Sequence, residues 1–214
     1  SKIIATLKET GQFENTIIVY AADNGLAAGS HGLLGKQSLY EHSIKVPLII
    51  QGPGIPKNKS FDAFAYIHDI YPTLAELAGL PKREDLDGKS LVPVIQGEQD
   101  SIREVMFNAY RHTVRSVRKE NWKLIRYPER DFTQLFDLSL DPHEIKNLAD
   151  DSSFLDKKLE LIHLMEKSQF LAGDTVSFTA KTLKPLAYNP DTLTRKPDQW
   201  QPEYTLRRYF DQDK

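Results

Sequence analysis

Residues 16–25 read Thr-Ile-Ile-Val-Tyr-Ala-Ala-Asp-Asn-Gly, and this stretch decides the fold class. Its first seven residues are β-branched and apolar on both faces, which is typical of a strand buried in a parallel sheet. Val-Pro-Leu-Ile-Ile at residues 46–50 is a second such run. Apolar residues at helical spacing precede the first run in residues 2–10 and follow the second in residues 69–80, where Asp69 is a candidate helix cap. The order of elements predicts an α/β domain that binds ligands beyond the carboxyl ends of its strands.

The pattern changes near residue 100. Four short candidate strands are separated by turn signals and followed by a helical pattern, which predicts a small antiparallel sheet covered by a helix. The strands are at residues 105–109, 113–117, 122–127 and 134–138, and the helix at 153–170 has Leu155, Leu159, Ile162 and Met165 or Glu166 on one face. We therefore divide the chain into an α/β part (1–100), a sheet-and-helix part (101–173) and a tail (174–214).

The tail combines prolines with aromatic residues. Disordered linkers are usually poor in aromatics, so we predict an extended segment that lies over a surface. The residues concerned are Pro185, Tyr188, Pro190, Pro197, Trp200, Pro202, Tyr204, Tyr209 and Phe210.

Composition excludes several classes of protein. The 214 residues carry a formal net charge of −2, and no basic stripe indicates a nucleic-acid partner. The sequence contains no run of about 18 apolar residues, so it predicts no membrane-spanning helix. The absence of cysteine excludes disulfides and zinc–thiolate sites. Because the sequence opens directly inside a helical pattern, we expect it to be a fragment of a longer protein.

Asp23 and Asn24 are the first candidate ligands. A carboxylate and an amide oxygen side by side are hard ligands that suit calcium or magnesium. Asp-Gly and Asn-Gly steps are also the commonest hairpin turns, although no alternating strand follows this one. The residues alone leave the metal site and the turn equally open.

A glycine-rich loop follows, with His31-Gly-Leu-Leu-Gly-Lys36-Gln. It lacks the frame of a nucleotide phosphate loop, because residue 30 is Ser and Lys36 is followed by Gln. A flexible ammonium is a natural partner for an oxyanion, but an exposed lysine is often simply solvated. A histidine such as His31, taken alone, is more often structural than catalytic.

The ordered set of motifs resembles the sulfatase family of the alkaline-phosphatase superfamily. The resemblance runs from Asp-Asn-Gly through Gly-Ser-His-Gly-Leu-Leu-Gly-Lys-Gln-Ser-Leu-Tyr-Glu and Val-Pro-Leu-Ile-Ile to the helix at Ile67–Gly79. It continues in Gln-Leu-Phe-Asp-Leu at residues 134–138 and Asp-Pro-His-Glu at 141–144, and it covers about residues 1–165. It implies the C-terminal part of an alkaline-phosphatase-like α/β sandwich, with the small antiparallel sheet and its packing helix appended.

The resemblance also implies roles for individual residues. Asp23 and Asn24 match calcium ligands of the family, with magnesium a possible substitute. Lys36 matches a lysine that binds the sulfate group, and His31 matches a histidine near the substrate. Arg111 and His112 lie between two predicted strands and are candidate sugar contacts or an exposed turn.

The family nucleophile, a formylglycine made in a Cys- or Ser-x-Pro-x-Arg segment, has no counterpart here. We therefore expect it in an N-terminal part of the same protein, and we expect this chain alone to be inactive. The implied activity is calcium-dependent hydrolysis of sulfate esters on a carbohydrate, in the periplasm, outside the cell or in a lysosome. The alternatives are a phosphoric or phosphonic ester hydrolase and a non-catalytic module that binds sulfated glycans.

Overall fold

The computed structural model describes residues 2–187 and 202–209. The helices are α1 Lys2–Glu9, α2 Glu41–Ile44, α3 Ile70–Leu77, α4 Val92–Ile95, α5 Leu155–Leu171 and α6 Glu203–Tyr209. The strands are β1 Ile18–Ala21, β2 Ala27–Ala28, β3 Leu34–Gly35, β4 Leu48–Gln51, β5 Val105–Tyr110, β6 Val114–Lys119, β7 Trp122–Tyr127 and β8 Phe132–Asp137. Within the described ranges, every helix is too short or too polar to cross a membrane.

The largest sheet is an antiparallel meander in the order β5-β6-β7-β8. Its register is set by pairs such as Val117 with Leu124 and Leu124 with Leu135. Strands β6 and β7 are joined by a two-residue turn in which Glu120 has a φ of 53°. The prediction of a small antiparallel sheet is confirmed, with strand ends that differ by at most two residues.

Helix α5 covers one face of this sheet. Leu161 and Met165 are fully buried against Val117, Leu124 and Leu135. The prediction for the buried face was partly wrong, because Leu155 and Leu159 are about half exposed. Leu159 precedes Leu161 by two residues and therefore points about 200° away around the helix.

The opposite face of the sheet is covered by the segment that precedes and begins α2. Leu39 and Tyr40 pack against Val114, Ile125 and Phe136. The sheet therefore forms the middle layer between α5 and residues 38–44. This layering fixes the position of the loop that contains the predicted site residues.

Strands β1 and β4 pair antiparallel, not parallel as their composition suggested. Ile18 lies opposite Gln51 and Ala21 opposite Leu48. The apolar run that contains β1 is also not buried on both faces in this chain, since Tyr20 is 63% exposed. An apolar β-branched run indicates a buried strand but does not encode its direction. Direction is set here by the long connection through β2, β3 and α2.

Asp69 joins the first hundred residues to the sheet. Its fully buried carboxylate accepts hydrogen bonds from the backbone N–H groups of Tyr66 and Lys89 and forms an ion pair with Arg103. Asp69 does precede α3, but its side chain makes no capping bond to that helix. Asp69 was predicted to cap the helix, but its side chain mainly connects this part of the chain to the segment that enters β5.

The tail crosses the end of the sheet. Residues 174–187 contain no helix or strand, and the N–H groups of Ala180 and Lys184 donate to the carbonyls of Pro128 and Glu129. The sequence predicted only an extended tail, so helix α6 was not expected. Five of the tail residues singled out in the sequence lie outside the described residues: Tyr188, Pro190, Pro197, Trp200 and Phe210.

Candidate functional site

Asp23-Asn24-Gly25 follows the end of β1 and does not form a hairpin with the next strand. Gly25 N–H donates to the carbonyl of Ser43 at 2.9 Å. A Cβ at position 25 would lie 2.0 Å from the carbonyl oxygen of His42, so only glycine fits against α2 here. This close approach, not a β-turn, explains the glycine after the Asp-Asn pair.

The small β2–β3 hairpin brings Lys36 back toward Asp23. Lys36 Nζ lies 3.9 Å from Asp23 Oδ2, and the two side chains are 55% and 91% exposed. An exposed pair of this kind contributes little to stability, so both groups are available to a ligand. The structure thus brings together two residues that were predicted from separate motifs.

His31 lies at the tip of this hairpin in a left-handed backbone conformation, with a φ of 56°. Its ring stacks on Tyr40 with centroids 3.9 Å apart, and Nε2 donates to the carbonyl of Glu144 at 3.0 Å. Because a carbonyl oxygen can only accept, the proton is on Nε2. Nδ1 is buried and has no hydrogen-bond partner in the part of the chain that the structure describes.

His42 is a site residue that the sequence reasoning did not select. Its ring centroid lies 5.4 Å from that of His31, and Nε2 is 3.2 Å from the hydroxyl of Ser38. Burial lowers the pKa of His42, and the nearby His31 and Lys123 lower it further. The available signal was its place in Tyr-Glu-His, within the stretch that carries the resemblance.

Beneath these rings lies a buried group of charges that was also missed. Lys123 is fully buried, with Nζ 2.9 Å from Glu41 Oε1 and 2.7 Å from Glu144 Oε1. The second contact is close but lacks hydrogen-bond geometry, so it is an ion pair. Arg118 pairs with the other oxygen of Glu41 at 2.9 Å. The sequence signal was the place of Lys123 two residues before Ile125, on the same face of β7.

A cavity of about 230 Å³ opens beside the two histidines. Its walls are Ser30, His31, Glu41, His42 and residues 142–145. Imidazole, carboxylate and backbone groups therefore line one concave space next to the glycine-rich loop that ends at Lys36.

Arg111 and His112 form the turn between β5 and β6. Arg111 has a φ of 49° and lies over the ring of Tyr110, while His112 Nε2 is 3.4 Å from Glu129 Oε1. Within residues 2–187, no ion pair or hydrogen bond connects them to Lys36. Their predicted role as sugar contacts stays a prediction.

Asp23 and Asn24 are the predicted metal ligands. Asp23 and Asn24 supply two hard oxygen donors at an exposed loop, which suits calcium in kind. Calcium takes six to eight oxygen ligands, and no cluster of three His, Asp or Glu side chains is placed to hold a metal among the described residues. Their role as metal ligands therefore stays a prediction.

Comparison with known proteins gives a consistent picture. Residues 29–170 match the family model described as N-sulphoglucosamine sulphohydrolase, C-terminal. Arylsulfatase K of Bos taurus is 34% identical over 201 residues, covering 79% of this chain and 37% of the relative. N-acetylglucosamine-6-O-sulfatase of Bacteroides thetaiotaomicron is 31% identical, covering 78% and 32%. The chain thus spans about a third of the length of these relatives.

Two solved structures extend the comparison. One, in complex with its substrate D-glucosamine-2-N,6-O-disulfate, has a TM-score of 0.75 and 29% identity over 81% of this chain and 38% of its own. A phosphonate monoester hydrolase of Agrobacterium radiobacter has a TM-score of 0.70 and 26% identity over 79% and 38%. The family match covers more than half of the chain and includes Lys36, His31, His42 and the buried charges. This chain therefore belongs to the sulfatase family, in which it corresponds to the C-terminal part.

Proposed function

We propose that this chain forms the C-terminal part of the active site of a sulfatase that removes sulfate from a sulfated carbohydrate. One observation carries the proposal: the Lys36 ammonium and the Asp23 carboxylate lie 3.9 Å apart at an exposed loop beside the histidine cavity. A cation and a hard metal ligand side by side suit a tetrahedral oxyanion ester.

Lys36 would bind the sulfate group as a point charge, since its ammonium is flexible and half exposed. Asp23 and Asn24 would hold calcium, or magnesium in its place. When bound, the metal would act as a Lewis acid and stabilise negative charge on the sulfate oxygens. His31, whose ring is held by Tyr40 and by the carbonyl of Glu144, would contact the substrate near the leaving hydroxyl.

We assign the formylglycine nucleophile to an N-terminal part of the same protein, because this sequence has no Cys and no Ser-x-Pro-x-Arg segment. The same part would supply the remaining calcium ligands. We therefore expect the isolated chain to turn over no sulfate ester. Relatives that act on sulfated sugars also support a working site outside the cytoplasm, in the periplasm, the medium or a lysosome.

A second candidate function is hydrolysis of phosphonic or phosphoric esters. Phosphonate monoester hydrolases from two bacteria share the fold with TM-scores of 0.70 and 0.72, and 26% and 27% identity. A lysine beside hard metal ligands can bind a phosphonate oxyanion as well as a sulfate group. The residues described above do not separate the two substrates.

The test uses the product of the complete reading frame. Hydrolysis of para-nitrophenyl sulfate, para-nitrophenyl phosphate and phenylphosphonate esters is compared with calcium and with chelator. We expect calcium-dependent turnover of sulfate that falls at least about a hundredfold in Lys36→Ala and is unchanged in Lys45→Ala, which removes another exposed lysine.

Preference for phosphate or phosphonate would move the assignment to the second function. Glycan binding without hydrolysis of any ester would indicate a non-catalytic module and contradict both enzymatic readings.

A further inference from the structure

Lys123 connects the antiparallel sheet to the segment that carries the site residues. It lies in β7 on the face opposite α5, and its side chain is fully buried. A buried ammonium is stable only with opposite charge beside it. Glu41 and Glu144 provide this charge from segments 103 residues apart in the sequence.

Glu144 contacts two parts of the site. Its Oε2 accepts the N–H of Glu41 at 2.6 Å, at the start of α2. Its carbonyl accepts the Nε2 proton of His31 at 3.0 Å. The φ of Glu144 is 57°, and its own N–H donates to Asp141, so a tight turn holds this backbone in place. One residue therefore fixes α2 through its side chain and His31 through its backbone.

The four charges of this buried group balance one another. Lys123 and Arg118 face Glu41 and Glu144, two cations against two anions. Arg118 contacts Glu41 but makes no ion pair with Glu144 in the described residues. Without Lys123, the carboxylate of Glu144, which is 1% exposed, would be left uncompensated.

We propose that Lys123 is a positioning residue of the site: by drawing Glu41 and Glu144 together, it fixes the tautomer and orientation of His31 and the path of residues 36–44. The catalytic consequence rests on the function proposed above. Lys123 itself touches no substrate, because its side chain is fully buried. Its effect on the reaction passes through His31, His42 and Lys36.

The experiment uses the full-length protein and two variants. In Lys123→Met/Glu144→Gln both members of the buried pair become neutral, so Arg118 and Glu41 remain balanced and folding is protected. Arg115→Met is the matched control: Arg115 is equally buried and ion-paired, to Asp174, but faces α5. The side-chain nitrogen shifts of His31, assigned with His31→Gln, report its tautomer by NMR without substrate.

We expect the wild type and the control to show a single His31 tautomer with the proton on Nε2. The double variant should show a mixture of tautomers and a kcat on sulfate ester that is roughly 10- to 100-fold lower, with KM changed much less. An unchanged His31 signal and kcat in the folded double variant would overturn the inference. So would equal losses in Arg115→Met, since these would indicate a merely structural effect.

The two proposals fail separately. If the wild type hydrolyses no sulfate ester, the proposed function is wrong, while the NMR comparison still decides the role of Lys123.

Discussion

Asp23 and Lys36 form an exposed ion pair, with 3.9 Å between carboxylate and ammonium, across a loop that contains the β2–β3 hairpin. Both charges stay exposed. In the proposed function, Asp23 exchanges its lysine contact for a metal, and Lys36 exchanges its carboxylate contact for an anion.

The first prediction concerns calcium. Asp23→Asn keeps the shape of the side chain but removes the charge that a hard cation needs, so calcium affinity of the full-length protein should fall at least about tenfold. The thermal midpoint without calcium should hardly change, because the lost ion pair is exposed. Isothermal titration calorimetry measures the affinity, and Asp62→Asn, at another exposed aspartate, is the control. Equal affinities in the two variants would remove Asp23 from the metal site.

The second prediction concerns stability. Lys123→Met leaves the buried carboxylate of Glu144 without a cation, which should lower the free energy of unfolding by about 3–5 kcal/mol. Lys119→Met breaks a part-exposed pair with Glu160 and should cost much less, because water screens this pair. Urea denaturation of both variants gives the comparison. A cost for Lys123→Met no larger than that for Lys119→Met would show that the buried charges are not coupled as described.

The third prediction concerns pH. Burial and the neighbouring His31 and Lys123 lower the pKa of His42 from its ordinary value of 6.5. The folded state then binds fewer protons than the unfolded chain, so the stabilising effect is present above pH 6.5 and is lost as the pH falls through the lowered pKa. The loss of stability between pH 7.5 and 5 should be smaller in His42→Gln than in the wild type.

His163→Gln, at an exposed position on α5, should keep the wild-type pH dependence. Parallel stability curves for His42→Gln and the wild type would contradict the lowered pKa.

The fourth prediction concerns Gly25. A Cβ at this position would lie 2.0 Å from the carbonyl oxygen of His42, so Gly25→Ala must push α2 away. We expect a loss of about 1–3 kcal/mol in stability and weaker sulfate-ester turnover. Gly11→Ala meets open space at a positive φ and should cost only about 1 kcal/mol, with turnover unchanged. Crystals of Gly25→Ala with α2 in place would refute the packing argument.

The sequence was sufficient for elements that depend on local signals. The alternation of β5 to β8 and the turn at Glu120 identified the meander, because each hairpin joins neighbours in the chain. Helix α5 was found from its periodicity, but Leu155 and Leu159 were placed on the wrong side. Several apolar stripes were possible there, and only the sheet decides which one is buried.

Long-range features were less accessible. The antiparallel pairing of β1 with β4 depends on the path of the intervening loop, which composition does not reveal. Glu41 and Glu144 were recognised only as parts of motifs and Lys123 was not selected, because their pairing joins segments far apart in the sequence. His31 and Lys36 were found because they belong to one short stretch, whereas Glu144 joins them from a turn more than a hundred residues away.

The long sequence separation between Glu144 and its partners Glu41 and His31 has a consequence for the order of folding. The meander and α5 are built from contacts between neighbouring segments, and such topologies form quickly. The bonds of Glu144 to Glu41 and His31 close loops of 103 and 113 residues, so we expect them to form late. In pulse-labelling hydrogen exchange during refolding, the amides of β6 and β7 should be protected before the N–H of Glu41. The candidate site would then be completed late in folding, after the sheet has formed.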